Sequence, residues 1–295
     1  RTRSTANTQT IPNDTQMLLN AVGDLMRHPP WFTRAPADAT PARSPTLIPA
    51  GELPSRWKSP LNATITPHRS VAFVDIALDD VRAVKDRIGC TVNDVVLALC
   101  AGALRRLIDR SGLINAPSLV AGVPVSIRTE AERGAMGNRV SFMLVPLATD
   151  KATPLERLQA IHEHTTEAKS RHDPVAARAL MDWAVAGGPP LVAQAARLYS
   201  QLRVADLAEP DCHVVVSNIP GPTGRLYCAN SLMTALYPTG PLSEGAGLNI
   251  TLGSYAGQLN ISLITCPEVV PDGARIAREL HDELAELLVA TENER

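Results

Sequence analysis

The sequence predicts an α/β protein in which a mixed sheet is flanked by helices. Short apolar segments with the alternation of strands occur early and late in the main domain, as in "SVAFVDIAL" and "QLNISLIT". Between them lie segments with helical periodicity, of which "TPLERLQAIHEHTTEAKSRH" is the clearest. The last strands follow one another without intervening helices. This pattern therefore disfavours a TIM barrel and a Rossmann sheet.

The first 69 residues differ in character from the rest of the chain. Residues 1–33 contain "DTQMLLNAVGDLMRH", a predicted helix with Leu18, Val22 and Leu25 on one face and no obvious cover in the sequence. We expect this helical segment to belong to, or pack on, a missing N-terminal half. Residues 34–69 are rich in proline and lack periodicity, which predicts a linker. Residues 70–295 are expected to form the main domain.

The main domain is predicted to begin with a strand and two helices. The segment "DDVRAVKDRIG" places Val81, Val84 and Ile88 on one helical face, between an acidic start and a glycine stop. The segment "TVNDVVLALCAGALRRLIDRSG" then predicts a helix that is buried on most sides, because it is nearly all apolar from Val95 to Leu104.

Strands and helices then alternate less regularly. Strands are predicted in "SLVAGVPVSI" and "NRVSFMLVPL". Thr153, Pro154 and Glu156 mark the start of the next helix as its cap, first-turn proline and capping-box acid. Further helices are predicted at 174–186 and 190–205. Strands are also predicted in "CHVVVSN", "LNITLGSY" and "QLNISLIT", the last two joined across Ala256 and Gly257 as a hairpin. An amphipathic helix over "GARIARELHDELAELLVA" follows them.

Composition limits the classes of function. The chain has 295 residues, of which 28 are basic and 30 acidic, so the formal net charge is −2 and no nucleic-acid partner is expected. No apolar run approaches the roughly 20 residues that span a bilayer, and no secretory leader opens the chain. The five cysteines lack C-x-x-C or metal-finger spacing, which indicates a reducing compartment and a cytoplasmic protein.

Several catalytic motifs are absent from the sequence. "GSYAG" is not a G-x-S-x-G elbow, and neither a P-loop nor G-x-G-x-x-G occurs. His162 and His164 are two positions apart on a predicted helix, so they cannot converge on one metal ion, and we interpret them as solvated polar groups. Cys212 and His213 are adjacent on a predicted strand and face opposite ways, so we expect no Cys/His dyad from this pair.

The head of the apolar helix carries an unexpected polar pair, Asn93 and Asp94. Thr91 and Asp94 have the spacing of a capping box, in which each side chain accepts a hydrogen bond from the backbone N–H of the other. Asp94 also favours the helix dipole. The cap leaves Asn93 unexplained, because asparagine is an indifferent helix former and this position needs no capping group.

Five ordered segments resemble a known family. They are "TVNDVVLALCAGALRRLI", "VPVSIR", "GNRVSFMLVPLATD", "VVVSNIPGP" and "ALYPTGPLSEGAGLNITLGSYAGQL". Together they resemble the C-terminal half of the bacterial wax ester synthase/acyl-CoA:diacylglycerol acyltransferase family. The resemblance implies a chloramphenicol acetyltransferase-like half-domain, also similar to peptide-synthetase condensation domains, with an acyl-CoA tunnel between two halves.

The resemblance also defines what is missing. Members of the family carry an H-H-x-x-x-D-G motif in the N-terminal half, and its second histidine is taken to be the catalytic base. No "HH" occurs in this sequence, and His68 and His172 do not match the motif. The resemblance therefore implies no catalytic residue in this chain, which is expected to be inactive without the N-terminal half.

Polar residues in the matching segments are candidates for lining or supporting the tunnel. Acyl transfer from a thioester requires a base near the hydroxyl and donors directed at the developing oxyanion. The candidates are Asn93, Asp94, Arg128, Ser217, Asn218 and Asn249. Each could equally be a strand-end or turn residue satisfied by the backbone. Neither a metal nor a cofactor is expected, since acyl-CoA is itself a substrate.

Three hypotheses remain at this point. The leading one is the C-terminal half of an O-acyltransferase that acts with its N-terminal half on acyl-CoA and diacylglycerol or a long-chain alcohol, with peripheral contact to a membrane or lipid droplet. The second is a non-catalytic scaffold or partner-binding half-domain of the same fold. The third is a condensation-type, carrier-dependent enzyme, which the five segments match less well.

Overall fold

The computed structural model describes residues 57–113, 115–126, 140–171, 197–198, 200–207, 209–222 and 224–292. Its elements in chain order are β1 (Ser70–Ala77), α1 (Leu78–Ile88), α2 (Val92–Arg110), β2 (Val120–Ser126), β3 (Val140–Pro146), α3 (Pro154–Arg171), α4 (Val204–Leu207), β4 (Val214–Ile219), β5 (Tyr227–Cys228), β6 (Ser231–Leu232), β7 (Leu248–Tyr255), β8 (Gln258–Thr265) and α5 (Gly273–Glu292).

Six strands form one mixed sheet in the order β1-β8-β7-β4-β2-β3. The central strands β7, β4 and β2 are parallel neighbours, and the remaining pairs are antiparallel. Strands β5 and β6 form a separate two-stranded ribbon. The predicted mixed sheet with helices is confirmed, and so is the late hairpin, in which Ala256 and Gly257 both adopt positive φ.

One face of the sheet forms the core with the long helices. Val74, Leu252 and Ile261 project from this face and are buried in one apolar cluster with residues of α2, α3 and α5. Helix α2 lies at the centre of the helical layer, and every residue from Asp94 to Leu104 is buried. The prediction that this helix is buried on most sides is confirmed.

The opposite face of the sheet is covered in part by the segment that follows β6. The Tyr237 ring lies 4.7 Å from that of Phe73, and its hydroxyl donates to Asp75 at 2.7 Å. The backbone N–H of Leu236 donates to Asn260 Oδ1 at 3.1 Å. These contacts fix the segment across β1 and β8.

A buried ionic cluster joins α2, α3 and α5. Glu283 of α5 lies against Gly102, at a point where a Cβ atom would come within 1.9 Å of its carboxyl carbon. Arg157 of α3 donates to the same carboxylate, and Arg106 of α2 contacts it at 3.1 Å. Because a buried carboxylate is costly unless it is paired, the two arginines are what allow Glu283 to occupy the core.

The end of the predicted linker differs from the expectation. Leu61 is fully buried, and its carbonyl accepts a hydrogen bond from Gly247 N–H at 2.8 Å. Asn62 is also buried and donates to the Gly245 carbonyl at 2.9 Å. Proline-rich composition indicates an extended chain but not whether its apolar residues find a surface to cover, and here they do. Residues 57–62 therefore pack on the domain that the linker was expected only to reach.

Other predictions fall largely outside the described residues. These include the helical segment 1–33, most of the linker, the helix at 174–186 and most of the helix at 190–205. Within the described part of the last range, only the end is seen, followed by the four-residue helix Val204–Leu207.

Among the described helices, none by itself has the length and apolar content needed to cross a membrane. Helices α1 and α2 meet both criteria only when taken together, and they are bent by 105° relative to each other.

Candidate functional site

The head of α2 is built as the sequence predicts. Thr91 is the N-cap, its hydroxyl accepts from Asp94 N–H at 3.2 Å, and Asp94 Oδ2 accepts from Thr91 N–H at 2.9 Å. The capping box is therefore confirmed. It satisfies donors that would otherwise be unpaired in the first turn and places a negative charge at the positive end of the helix dipole.

Asp94 makes more contacts than a cap requires. Its side chain is 0% exposed, and it also accepts from Thr165 Oγ1 at 2.7 Å and contacts His162 Nδ1 at 2.8 Å. Burial alone would raise the pKa of Asp94, but the hydrogen bonds from His162, Thr165 and Thr91 outweigh it and lower this pKa below its usual value. Asp94 is thus an ionised carboxylate that two long helices share.

The interpretation of His162 and His164 as merely solvated groups is wrong. An ionised carboxylate only accepts, so His162 Nδ1 carries the proton and donates to Asp94, while 43% of its side chain stays exposed. His164 Nδ1 donates to the carbonyl of Pro146 at 2.9 Å. Helical spacing shows which residues of one helix converge, but it cannot reveal partners on other elements.

Asn93 lies beside this cluster without joining it. Its side chain is partly buried, and it makes no hydrogen bond to any residue that the structure describes. The capping box does not involve its amide. Its role in a tunnel stays a prediction.

The candidates on β4 and β7 divide between the two faces of the sheet. Ser217 pairs with Thr251 and Asn218 with Leu252, so adjacent Ser217 and Asn218 point to opposite faces. Asn218 shares the face that packs against the helices. Ser217 and Asn249 share the other face. The described candidates therefore do not form a single constellation, and Arg128 lies outside the described residues.

Asn249 joins strand β7 to the segment that precedes it. It is buried in β7, its amide donates to the Pro241 carbonyl at 3.1 Å, and its Oδ1 accepts from Thr251 Oγ1 at 2.6 Å. Gly240 lies directly above, where a Cβ atom would come within 2.7 Å of Asn249 Oδ1. Asn249 thus anchors the "PTGP" segment to the sheet.

Strand β4 ends at Ile219, within the segment "SNIPGP". Gly221 N–H donates to Ser254 Oγ at 3.2 Å, and a Cβ atom at Gly221 would lie 1.6 Å from the backbone oxygen of Ser254. Only glycine permits this approach of two backbones.

His213 is a structural histidine. Its Nδ1 accepts from Val120 N–H at 2.9 Å, and its Nε2 donates to the Trp57 carbonyl at 3.0 Å. Burial lowers the pKa of His213, so the ring is neutral and both nitrogens are in use. Cys212 packs toward Gly122 instead, which agrees with the expectation that the two residues form no dyad.

The chemistry of the α2 head follows from these contacts. Thr165 and Asp94 are both 0% exposed, and the Thr165 hydroxyl donates to Asp94, so neither group is accessible to a substrate in this arrangement. The cluster can hold a side chain in place but does not itself transfer an acyl group. In the described part of the chain, no three His, Cys, Asp or Glu side chains are grouped so as to hold a metal ion.

Sequence reasoning missed His162 and Thr165. A signal was present, because the two are three positions apart and so lie on one side of α3. Threonine is also an unfavourable choice in the middle of a helix unless its hydroxyl has a partner.

Two family models match the chain in succession. The one described as "Wax ester synthase/diacylglycerol acyltransferase catalytic domain" matches residues 3–96. The one described as "WS/DGAT C-terminal domain" matches residues 136–288, about half of the chain. The first match ends within the head of α2, two residues beyond Asp94.

Two of the curated relatives come from Mycobacterium tuberculosis strain H37Rv. The protein named "Putative diacyglycerol O-acyltransferase Rv1760" is 34% identical over 80% of this chain and 46% of its own length. The protein named "Putative diacyglycerol O-acyltransferase Rv0221" is 41% identical over 72% of this chain and 44% of its own length. The chain spans about half the length of these relatives.

Among solved structures, the chain is similar to a wax ester synthase/diacylglycerol acyltransferase from Marinobacter aquaeolei VT8. The TM-score is 0.63 at 26% identity, covering 97% of this chain and 58% of the other. The chloramphenicol acetyltransferase-like α/β fold expected from the resemblance is confirmed.

Proposed function

Because the chain belongs to the wax ester synthase/diacylglycerol acyltransferase family, we propose that it is part of an acyl-CoA-dependent O-acyltransferase. The reaction moves a long-chain acyl group from the thioester of acyl-CoA to the hydroxyl of diacylglycerol or of a long-chain alcohol. The observation that carries this proposal is the ordered match of two domain models of one family to residues 3–96 and 136–288.

The proposal includes a second portion of protein. The chain spans about half the length of its curated relatives, and "HH" is absent from its 295 residues. Acyl transfer needs a group that accepts the hydroxyl proton as the new C–O bond forms. We assign that group to the half that the relatives possess beyond the matched part. The polar residues of this chain would then orient the substrates or donate to the oxyanion.

Substrate chemistry suggests where the protein acts. Diacylglycerol and long-chain alcohols reside in lipid, so a cytoplasmic enzyme that uses them must contact a membrane or a lipid droplet at its surface. This peripheral contact forms part of the proposal. No cofactor is included, because the thioester supplies the activated acyl group.

Complementation tests the proposed function. The chain is produced alone and together with the uncovered half of the 41% identical relative, and each sample is supplied with palmitoyl-CoA and diolein or hexadecanol. We expect thioester-dependent ester formation by the pair and none by the chain alone. Robust ester formation by the chain alone would show that the base lies within it. A pair that forms but remains inactive with every alcohol would contradict the proposed reaction.

A second candidate is a non-catalytic scaffold or partner-binding half-domain of the same fold. The absence of the histidine motif from this sequence favours it. It predicts a stable pair whose activity, if any, does not change when polar residues such as Asn93 are substituted. The acyltransferase proposal predicts a loss of turnover in the same experiment.

A further inference from the structure

The ionised Asp94 side chain is held from two separate elements. Thr91 N–H reaches it from the start of its own helix, and His162 Nδ1 and Thr165 Oγ1 reach it from α3. All three contacts are between 2.7 and 2.9 Å. A buried carboxylate with three donors has little freedom to move, since any displacement would break a charge-assisted hydrogen bond.

The contacts of Asp94 hold the first turn of α2, which also carries Asn93. Successive side chains on a helix diverge by about 100°, so Asn93 and Asp94 point in different directions from the same turn. Asn93 is only partly buried, and it has no hydrogen bond to the described residues. Its amide is therefore a donor and acceptor without a described partner, on a helix turn that the Asp94 contacts hold in place.

We propose that His162 and Thr165 are positioning residues for Asn93, acting through Asp94 to hold the Asn93 amide toward the reacting groups of the acyl-transfer site. This inference rests on the proposed function. It assigns to α3 a role in catalysis that no motif of α3 indicates. It also explains why a carboxylate at the head of an apolar helix has donors from a second helix when the capping box alone would satisfy the helix.

Pairs of substitutions at His162 and Thr165 distinguish the loss of the hydrogen bond to Asp94 from the loss of side-chain volume. His162→Asn places an amide nitrogen where Nδ1 lies and can still donate to Asp94, whereas His162→Leu cannot. Thr165→Ser keeps the hydroxyl, whereas Thr165→Val keeps the shape and loses the donor. His164→Leu, two positions along the same helix, removes a contact to Pro146 that does not involve Asp94.

Turnover by the complemented enzyme is the first measurement, with rates expressed per folded protein. His162→Leu and Thr165→Val should each lower kcat by roughly tenfold or more, comparable with the loss of an orienting donor. His162→Asn and Thr165→Ser should restore most of that loss. In an Asn93→Ala background the same two substitutions should have little further effect, since residues that act through one another are not additive.

A purely structural role gives different results. It predicts lower melting temperatures with kcat per folded enzyme unchanged, or losses that add to that of Asn93→Ala. Either result would overturn the inference, as would a His162→Leu enzyme with the kcat of His164→Leu.

A second measurement does not depend on activity. In the ¹⁵N-labelled 295-residue chain, the side-chain amide resonances of Asn93 should shift with His162→Leu and Thr165→Val but not with His164→Leu. Resonances that do not respond would disprove the coupling even if the complemented enzyme is active. If the wild-type pair forms no ester, that result counts against the proposed function. The amide resonances of Asn93 would still decide whether α3 positions this residue.

Discussion

The guanidinium group of Arg157 donates to the carboxylate of Glu283 between helices α3 and α5, where the two side chains are only 3% and 0% exposed. Removing one partner of such a pair leaves a buried charge with less compensation, which typically costs about 3–5 kcal/mol. We therefore expect Arg157→Met to lower the free energy of unfolding by about that amount in a denaturant titration.

The exposed part of the same cluster supplies the control. Glu286 contacts Arg106 at 2.7 Å with 53% of its side chain exposed, so Glu286→Gln should cost no more than about 1 kcal/mol. If Arg157→Met destabilises the protein no more than Glu286→Gln, the buried pair contributes less than its burial indicates.

Substitutions at the head of α2 should separate stability from activity. Asp94→Ala removes a capping acid, which costs about 0.5–2 kcal/mol, and also leaves the His162 and Thr165 donors without their acceptor, so we expect a total loss of about 2–4 kcal/mol. Asn93→Ala removes no described hydrogen bond and should leave the melting temperature nearly unchanged. It should lower turnover of the complemented enzyme by roughly ten- to a thousandfold if the amide orients a reacting group.

Thermal melts and acyl-transfer rates of both variants decide the point. An Asn93→Ala enzyme with a normal rate, or one that loses activity only through unfolding, would show that the polar pair is structural.

Acid should destabilise the protein in part through Asp94. Its pKa is lower in the folded protein than the ordinary value of 3.8, so below pH 3.8 the unfolded chain takes up a proton before the folded one does. The stability that this carboxylate contributes is therefore complete above pH 3.8 and is lost as the pH falls toward its folded-state pKa. Asp94→Asn should have a flatter decline in unfolding free energy over that range.

The comparison must be with the wild-type curve, because other carboxylates titrate in acid as well. Hydrogen bonds lower the pKa of both Asp206 and Glu268 to about 2. Identical slopes for wild type and Asp94→Asn between pH 4 and 2 would contradict the pKa assigned to Asp94.

A methyl group at Gly221 should not be tolerated. Its Cβ atom would lie 1.6 Å from the backbone oxygen of Ser254, so β7 or the segment after β4 would have to move. We expect Gly221→Ala to cost about 1–3 kcal/mol, as is usual for overpacking, measured by chemical denaturation. Gly224→Ala, in the same segment, meets nothing within 4 Å and should change stability by less than about 0.5 kcal/mol. Equal effects of the two substitutions would disprove this explanation.

Features that depend on neighbouring residues were predictable from the sequence. The capping boxes of Thr91 with Asp94 and of Thr153 with Glu156 are set by residues three positions apart, and both form. The hairpin at Ala256 and Gly257 is equally local.

Contacts between distant residues were not predictable in the same way. His162 is 68 positions from Asp94, and Arg157 is 126 positions from Glu283. Periodicity places such residues on a face of their own helix but contains no information on which helix will lie opposite. The division of Ser217 and Asn218 between two sheet faces did follow from strand alternation, although the sequence could not show which face would pack against helices.

The carboxylate of Glu283 occupies the space where a side chain at position 102 would lie. The two positions therefore share one volume and cannot be chosen independently during evolution. Among related chains, glycine at position 102 should occur with a glutamate at position 283. Alanine or a larger residue at position 102 should occur with a shorter residue at position 283 and with loss of a basic residue at position 106 or 157. Correlated variation among positions 102, 106, 157 and 283 would indicate, without a structure, that α2, α3 and α5 meet around a buried charge.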